Sequence, residues 1–159
     1  MISAELAAFV ESGISTQVGT RDADLHPEIL RAVGSRVEAG REEVTVSVPG
    51  ATGGRTLANL RDNGRIAVIY SRATDHRSMQ LKGRVLAIVE ATERDRPCVE
   101  RYVSALAEQL AVIGLPPRLL HRIARWPCHA VRFRVEAVFV QTPGPGAGAP
   151  LGSGAEATR

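Results

Sequence analysis

The stretch from Val44 to Val89 constrains the fold more than any other part of this 159-residue chain. It opens with apolar and polar residues in alternation, the period of a half-buried strand. A glycine-rich turn comes next, followed by a short helix predicted over 56–63. A continuous apolar run at 66–70 and a long alternating segment at 79–89 predict two more strands. The unit is therefore strand, glycine-rich turn, helix, strand, strand.

The flanking segments extend this unit with further strands and helices. An apolar stripe predicts an amphipathic helix over 3–12, and the long segment that ends at Gly114 has helical spacing as well. The remaining predictions are strands at 14–21, 28–38 and 131–140 and a short helix at 118–126. Six strands with hairpin signals and inserted helices indicate a mostly β fold of the α+β kind, a small antiparallel barrel with flanking helices.

The chain is predicted to form one domain followed by a tail. At this length a single hydrophobic core is expected, and we assign it to residues 1–142. Residues 143–159 are rich in glycine, proline and alanine and lack the large apolar side chains that a core requires. We expect the segment beyond Leu151 to be disordered.

The composition argues against several classes of partner. The net charge is +3, but the basic residues are spread along the chain and only six aromatic residues (three Phe, one Trp, two Tyr) are available for base stacking. We therefore expect no nucleic-acid partner. No apolar run is long enough for a membrane span, so no membrane partner is expected either. Two cysteines without an export signal predict a reducing, cytoplasmic location.

The turn before the predicted helix has the composition of an anion site. Gly50, Gly53 and Gly54 lead into Arg55 and Thr56, which places free backbone N–H groups, a helix dipole and a guanidinium at one spot. Such a combination binds a phosphate monoester. The alternative is an ordinary capped helix between two strands, and the glycine spacing matches neither a dinucleotide fingerprint nor a P-loop.

Two other polar residues lie on predicted strands. Alternation places Arg31 on one face with Ile29, Val33, Ser35 and Val37, a face that we predict to be core-facing. Arg31 is then a guanidinium that awaits an anion, or else an arginine that snorkels from the rim or a sign that the predicted face is reversed. We predict that Arg31 and Arg55 converge on one phosphate.

Gln80 opens the long strand, where an amide could donate to and accept from the edge of a planar heterocycle. The alternative is a solvated strand residue.

No side chains form a recognisable catalytic or metal constellation. The four histidines and two cysteines have no zinc-site spacing, so no metal is predicted. Cys128 and His129 are adjacent on a predicted strand and point to opposite faces, which argues against a Cys–His pair. Catalytic residues stay unassigned, and any chemistry is expected to belong to a cofactor.

In order and spacing, the pieces resemble the pyridoxamine 5′-phosphate oxidase-like FMN-binding split-barrel family. The matching segments are Ile-Leu-Arg-Ala-Val around Arg31, the Val-Thr-Val-Ser-Val strand, Arg-Thr-Leu-Ala-Asn-Leu-Arg-Asp-Asn-Gly-Arg-Ile-Ala-Val from Arg55, and Gln-Leu-Lys-Gly-Arg-Val from Gln80. The resemblance covers about residues 5 to 90 well and the last strand more loosely. It implies a split barrel.

The resemblance also implies a homodimer with FMN in a cleft between protomers. Arg31 looks like the strand arginine near the phosphate, and Arg55 with Thr56 looks like the basic pair at the helix start. Ser47 and Val48 fall on the strand that passes the isoalloxazine, and Gln80 looks like the glutamine beside the ring. Thr56 stands where a lysine is common in flavin-binding members.

The resulting hypothesis is an FMN-dependent oxidoreductase that acts on an unknown small molecule. The last strand lacks the Arg-Leu-x-Pro pattern that the true oxidase uses for its vitamin substrate, so that specific activity is not predicted. The alternatives on the same fold are a deazaflavin-dependent reductase, a non-enzymatic protein that binds flavin or haem, and a domain without a cofactor.

Overall fold

The computed structural model describes residues 2–151 as a curled sheet with three α-helices and one 3₁₀ helix. The helices are α1 (Ala4–Glu11), α2 (Gly54–Asn63), α3 (Arg96–Val112) and the 3₁₀ helix (Pro117–Arg122). The strands are β1 (Ser15–Arg21), β2 (Pro27–Arg31), β3 (Ser35–Val37), β4 (Glu43–Pro49), β5 (Arg65–Ser71), β6 (Ser78–Glu90) and β7 (Cys128–Val140). The predicted unit of strand, turn, helix, strand and strand is present as β4, α2, β5 and β6.

All seven strands form one antiparallel sheet in the order β2-β1-β5-β6-β7-β4-β3. The main core fills the inside of the curl, and α2 joins it through Leu57 and Leu60. A second, smaller core lies under α3 and includes Val99, Val103 and Cys128. The predicted antiparallel barrel with flanking helices is confirmed.

The prediction of a single strand over 28–38 is wrong. The chain leaves the strand conformation between β2 and β3, where the backbone N–H groups of Ala32 and Val33 donate to Thr16 and Ser47 of two different strands. This break reverses the predicted faces of β2. The side chain of Ile29 is 66% exposed, and Arg31 is exposed too.

The predicted inward face of the last strand is correct only for its first half. Val131 and Phe133 are fully buried, but the register with β6 shifts at Glu136, between Lys82 and Gly83. A bulge of this kind adds one residue and exchanges the two faces. Beyond it the side chains that pack against the core are Val138 and Val140 instead of Ala137 and Phe139.

The first residues of the predicted tail fold back onto β7. The N–H of Gly148 donates to Val140, and the N–H of Leu151 donates to Val138. Leu151 packs against the main core. The predicted disorder beyond Leu151 concerns residues 152–159, which lie outside the described residues.

No α-helix in the described part of the chain is both long and apolar enough to cross a membrane.

Gly83 is required by the close approach of β6 to β7. A Cβ atom at this position would meet the backbone oxygen of Arg134, which cannot move without breaking the strand pairing. We expect Gly83→Ala to lower stability by about 1–3 kcal/mol. The midpoint temperature of thermal unfolding should then fall by several degrees, because each kcal/mol of lost stability lowers it by about 2–4 °C for a chain of this size.

The matched control for this substitution is Gly40→Ala. A Cβ at Gly40 meets nothing within 4 Å, so its thermal midpoint should stay near that of the wild type. Equal midpoints for the two variants would show that the tight β6–β7 approach does not limit stability.

Candidate functional site

The N-terminus of α2 offers backbone donors that the described residues leave without partners. Gly53 is the N-cap residue, and no side chain caps the helix. The first N–H to bond within the helix is that of Leu57, to Gly53. The N–H groups of Gly54, Arg55 and Thr56 belong to the first turn, which has no intrahelical acceptor for them. We call Gly53, Gly54, Arg55 and Thr56 the α2 anion site.

The glycine at the N-cap has a packing reason. A Cβ at Gly53 would lie 2.6 Å from both the Pro49 backbone oxygen and the Val48 Cγ1. Only glycine lets the turn after β4 approach this closely, so α2 can begin directly at the end of the sheet.

Thr56 carries a polar atom that the protein itself does not satisfy. The residue is fully buried, and its hydroxyl oxygen has no hydrogen-bond partner among the described residues. Leaving a buried hydroxyl unpaired costs about 1–3 kcal/mol. Such an atom in the first turn of a helix suits a site that a ligand oxygen completes.

Arg55 already has a weak partner. Its guanidinium lies 3.1 Å from a carboxylate oxygen of Glu28, and its side chain is 77% exposed. Exposed ion pairs of this kind contribute about 0–1 kcal/mol. Arg55 is therefore positioned beside the helix start while remaining open to a stronger anion.

A groove of about 400 Å³ lies next to this site, lined by Asp22, His26, Pro27, Arg55 and Asn59. Asn59 is buried and donates to the Thr20 hydroxyl. The backbone N–H of His26 donates to the Asp22 carboxylate and lowers the pKa of that group. The groove is therefore lined by polar groups of both charges.

Asp22, Asp24 and His26 in the adjacent turn could each offer one ligand atom to a metal ion, within 4.8 Å of one another. Asp24 and His26 are exposed, and the turn is held by the bonds between Asp22 and His26. These contacts account for the cluster without a metal.

Arg31 lies on the outer face of the sheet and has partners of its own. Its guanidinium donates to the Ser15 hydroxyl at 3.2 Å. Burial raises the pKa of Tyr102 on α3, while the hydrogen bond from the Thr16 N–H and the positive charge of Arg31 oppose that rise. Arg31 therefore lies at the edge of the sheet on the side of α3.

Strand pairing places Arg31 and Gln80 in one row across the outer face. Directly paired residues on neighbouring strands share a face. The row, which we call the sheet-face row, consists of Arg31, Gln17, Ile69, Gln80 and Phe139. Arg31 and Gln80 are three strand spacings apart, or about 14 Å along the row.

The sheet-face row is partly polar at its β6–β7 end. The Gln80 side-chain oxygen accepts from Gln141 at 3.4 Å, and Lys82 lies 4.6 Å from the Phe139 ring centre. The adjacent row contains the small residues Gly19, Ala67 and Ala137 together with Ile29 and Lys82. A planar ring could therefore approach this surface over Gly19 and Ala67, between the two larger side chains.

Ser47 and Val48 are covered in the described chain. Val48 is fully buried in the main core, and Ser47 is 8% exposed. The N–H of Ser47 donates to Gly34, and its carbonyl accepts from Val33. Ser47 therefore has no backbone group free for a ligand.

Arg31 and Arg55 do not meet within one chain. Arg55 contacts Glu28, which points inward from β2, whereas Arg31 is three residues further along the same strand and points outward. The sequence reasoning missed Glu28 because the faces of β2 were reversed. Recognising the break at Ala32–Gly34 would have identified it.

Comparison with protein-family models finds no match, and no curated protein is similar enough to report. Solved structures do match. A Lactobacillus delbrueckii protein named for pyridoxamine 5′-phosphate oxidase is 12% identical with a TM-score of 0.55, over 87% of this chain and 93% of that one. An FMN-binding protein of Syntrophomonas wolfei is 12% identical with a TM-score of 0.53, over 84% and 81%.

An F420 reductase has the same fold as well, with 15% identity and a TM-score of 0.57, over 82% of this chain and 93% of that one. At these identities the likeness establishes the fold alone. The chain therefore has the split-barrel fold of pyridoxamine 5′-phosphate oxidase-like and FMN-binding proteins, as its sequence predicted.

The unpaired Thr56 hydroxyl makes a specific prediction about stability. Thr56→Val keeps the shape and removes the buried unpaired oxygen, so the ligand-free protein should be at least as stable as the wild type. Binding of a phosphate ligand should weaken in the same variant. Thermal unfolding with and without FMN measures both effects.

Thr20→Val is the matched control, because the Thr20 hydroxyl is paired with Asn59. Its removal leaves a buried amide donor unpaired and should destabilise the protein by about 1–3 kcal/mol. If Thr56→Val destabilises the ligand-free protein as much as Thr20→Val does, the Thr56 hydroxyl has a partner and is not reserved for a ligand.

Proposed function

We propose that this protein is a flavin-dependent oxidoreductase that binds the phosphate of FMN at the α2 anion site. The observation that carries the proposal is the uncapped start of α2, where a buried hydroxyl without a partner lies next to an exposed arginine. The split-barrel fold, which FMN-binding proteins share, supports it. Thr56 would supply a neutral hydroxyl where flavin-binding members commonly have a lysine.

Competition from Glu28 does not prevent this binding. The exposed pair between Arg55 and Glu28 contributes about 0–1 kcal/mol. A charge-assisted hydrogen bond to phosphate contributes about 1.5–3 kcal/mol, and the free N–H groups of the helix start add to it. The phosphate therefore displaces Glu28 from Arg55 rather than the reverse.

We infer a homodimer in which the cofactor site is shared between protomers. In one chain the α2 anion site and the sheet-face row lie on opposite faces of β2, so neither is a complete flavin site. A second copy could bring its sheet-face row, with Arg31 and Gln80, against the first copy's α2. Ligand sites often lie at interfaces of this kind, and closed twofold pairs are the commonest oligomers.

Within such a site the protein's contribution is binding and orientation. Bound flavin supplies hydride transfer to or from a small-molecule substrate. Arg55, Thr56 and the helix N–H groups would hold the phosphate, and the Gln80 amide could donate to and accept from the ring edge. We place the protein in the cytoplasm, since Cys98 and Cys128 are both free.

A deazaflavin is the second candidate, favoured by the similarity to an F420 reductase. The absorption spectrum of the purified protein separates the cofactors. Oxidised FMN gives bands near about 370 and 450 nm, and haem gives a Soret band near about 400 nm. Titration of the cofactor-free protein with F420 tests the deazaflavin directly.

The phosphate should provide most of the selectivity of the α2 anion site for FMN over riboflavin. We expect Arg55→Ala to raise the Kd for FMN by about one to two decades. The substitution removes a hydrogen bond of about 1.5–3 kcal/mol, and about 1.4 kcal/mol corresponds to a tenfold change in Kd. Riboflavin, which lacks the phosphate, should bind the wild type much more weakly and be insensitive to the substitution. Titration of both ligands by fluorescence quenching measures this.

Arg61→Ala is the control, since Arg61 is an exposed arginine at the other end of the same helix. It should bind FMN as the wild type does. If Arg55→Ala keeps wild-type FMN affinity, or if FMN and riboflavin bind the wild type equally, the phosphate is bound elsewhere or not at all.

Mixing variants tests the shared site. Arg31→Ala and Arg55→Ala should each weaken FMN binding as homodimers. If the two arginines of one site come from different protomers, a mixed dimer has one intact site of its two. Random reassembly makes half of the dimers mixed, so about a quarter of all sites should recover high affinity.

If both arginines come from the same protomer, every site in the mixed dimer lacks one of them and nothing recovers. A protein that stays monomeric in light scattering at micromolar concentration would exclude the shared site altogether.

A further inference from the structure

The end of α3 and the 3₁₀ helix present an exposed apolar surface that the proposed cofactor site does not use. We call Val112, Ile113, Leu115 and Leu119 the apolar tip. Their exposed fractions are 76%, 55%, 38% and 43%. These four are half of the large apolar residues found exposed in the described chain, and all lie within eight consecutive positions. Clustering of this kind indicates an interaction surface.

The apolar tip is held in position by the second core. Leu120 is 3% exposed and packs there, and Ile123 lies against the same cluster. The chain turns after α3 through Gly114, which has a positive φ of 89°. Because Leu120 points inward, its neighbour Leu119 is directed outward together with the end of α3.

Two exposed arginines lie next to the apolar tip in sequence. Arg118 and Arg122 are exposed, and no ion pair is found for either within residues 2–151. The chain contains no Asp or Glu between Glu108 and Glu136. Glu108 itself is exposed one helical turn before Val112. The surface therefore combines apolar side chains with positive charge.

We propose that the apolar tip docks on an anionic lipid surface. Apolar side chains that enter the headgroup boundary, together with arginines that pair with anionic headgroups, are what peripheral membrane binding requires. No helix within residues 2–151 is long and apolar enough to span a bilayer. The proposed contact is with the surface of the bilayer. The charge of the rim selects an anionic surface over a neutral one.

A second copy of the chain is a poorer occupant. A twofold interface places the same patch on both sides, so it must be complementary to itself. Here it would bring Arg118 and Arg122 of each copy together, with no carboxylate from residues 109–135 to offset them. Like charges brought together in an interface oppose association.

The sequence analysis expected no membrane partner, and that expectation rested on the lack of a spanning segment. Surface docking needs no such segment. A short apolar tip with a basic rim is sufficient for reversible binding, whose strength depends on lipid charge and salt.

The test is co-sedimentation of the full chain with vesicles. One set contains phosphatidylcholine alone, and the other contains equal parts of phosphatidylcholine and phosphatidylglycerol. Binding should occur to the anionic vesicles and fall as salt rises. Val112→Asp combined with Ile113→Asp should reduce it at least about tenfold, as should Arg118→Glu combined with Arg122→Glu.

Two matched controls separate the tip from general charge and hydrophobicity. Leu25→Asp with Ile29→Asp alters equally exposed apolar residues elsewhere. Arg61→Glu with Arg65→Glu makes the same charge change on another surface. Both should retain binding within about twofold, because surface substitutions away from the contact leave it unchanged. Thermal unfolding of every variant verifies that it is folded.

Several outcomes would overturn the proposal. Absence of binding to the anionic vesicles would do so, as would equal binding to neutral vesicles or retention of binding by both tip variants. Equal loss in the Arg61/Arg65 control would show that only total charge matters. A fall in solution mass in the tip variants, measured by light scattering without lipid, would instead identify a second copy as the occupant.

Discussion

The pairing of β7 with both β4 and β6 is the interaction on which the rest of the structure depends. β7 is the last strand in the sequence, and it lies between β6 and β4, which come much earlier in the sequence. It therefore joins the two parts of the sheet. Its early residues Val131 and Phe133 fill the main core from this central position. Without β7, β4 would keep only the three-residue strand β3 as a partner and the curl could not enclose a core.

The same pairing positions both candidate surfaces. β4 leads through Gly53 into α2, so the place where β4 ends fixes the start of the helix and its free N–H groups. β6 carries Gln80, and the bulge at Glu136 sets which β7 side chains join it on the outer face. The pairing of β7 with β4 and β6 therefore closes the barrel. The same pairing also places polar groups on two of its surfaces.

Unsatisfied groups distinguish the α2 anion site from ordinary polar surface. Many arginines of this chain are already paired with carboxylates in exposed pairs of small energy. Thr56 differs, because a buried hydroxyl without a partner has a real cost that the surrounding packing does not repair. A ligand that supplies the missing acceptor or donor stabilises the protein as it binds. The apolar tip is a different case, since its side chains are exposed rather than buried and unpaired.

The sequence by itself determined most of the elements and their order, because hydrophobic period and turn residues act over a few positions. The strands around α2, the glycine-rich turn, the two-turn helix with Arg55 at its start, and the resemblance to split barrels were all readable from Val44 to Val89. Tertiary structure alone decided which faces meet. The break at Ala32–Gly34 arises because Ala32 and Val33 bond to different strands, and it directs Arg31 outward. The bulge at Glu136 arises in the pairing of β7 with β6, where Ala137 pairs with Lys82 and Val135 with Gly83. Both the break and the bulge depend on pairing between residues far apart in the sequence, which local periodicity does not predict. The separation of Arg31 from Arg55 could therefore be seen only in the folded chain.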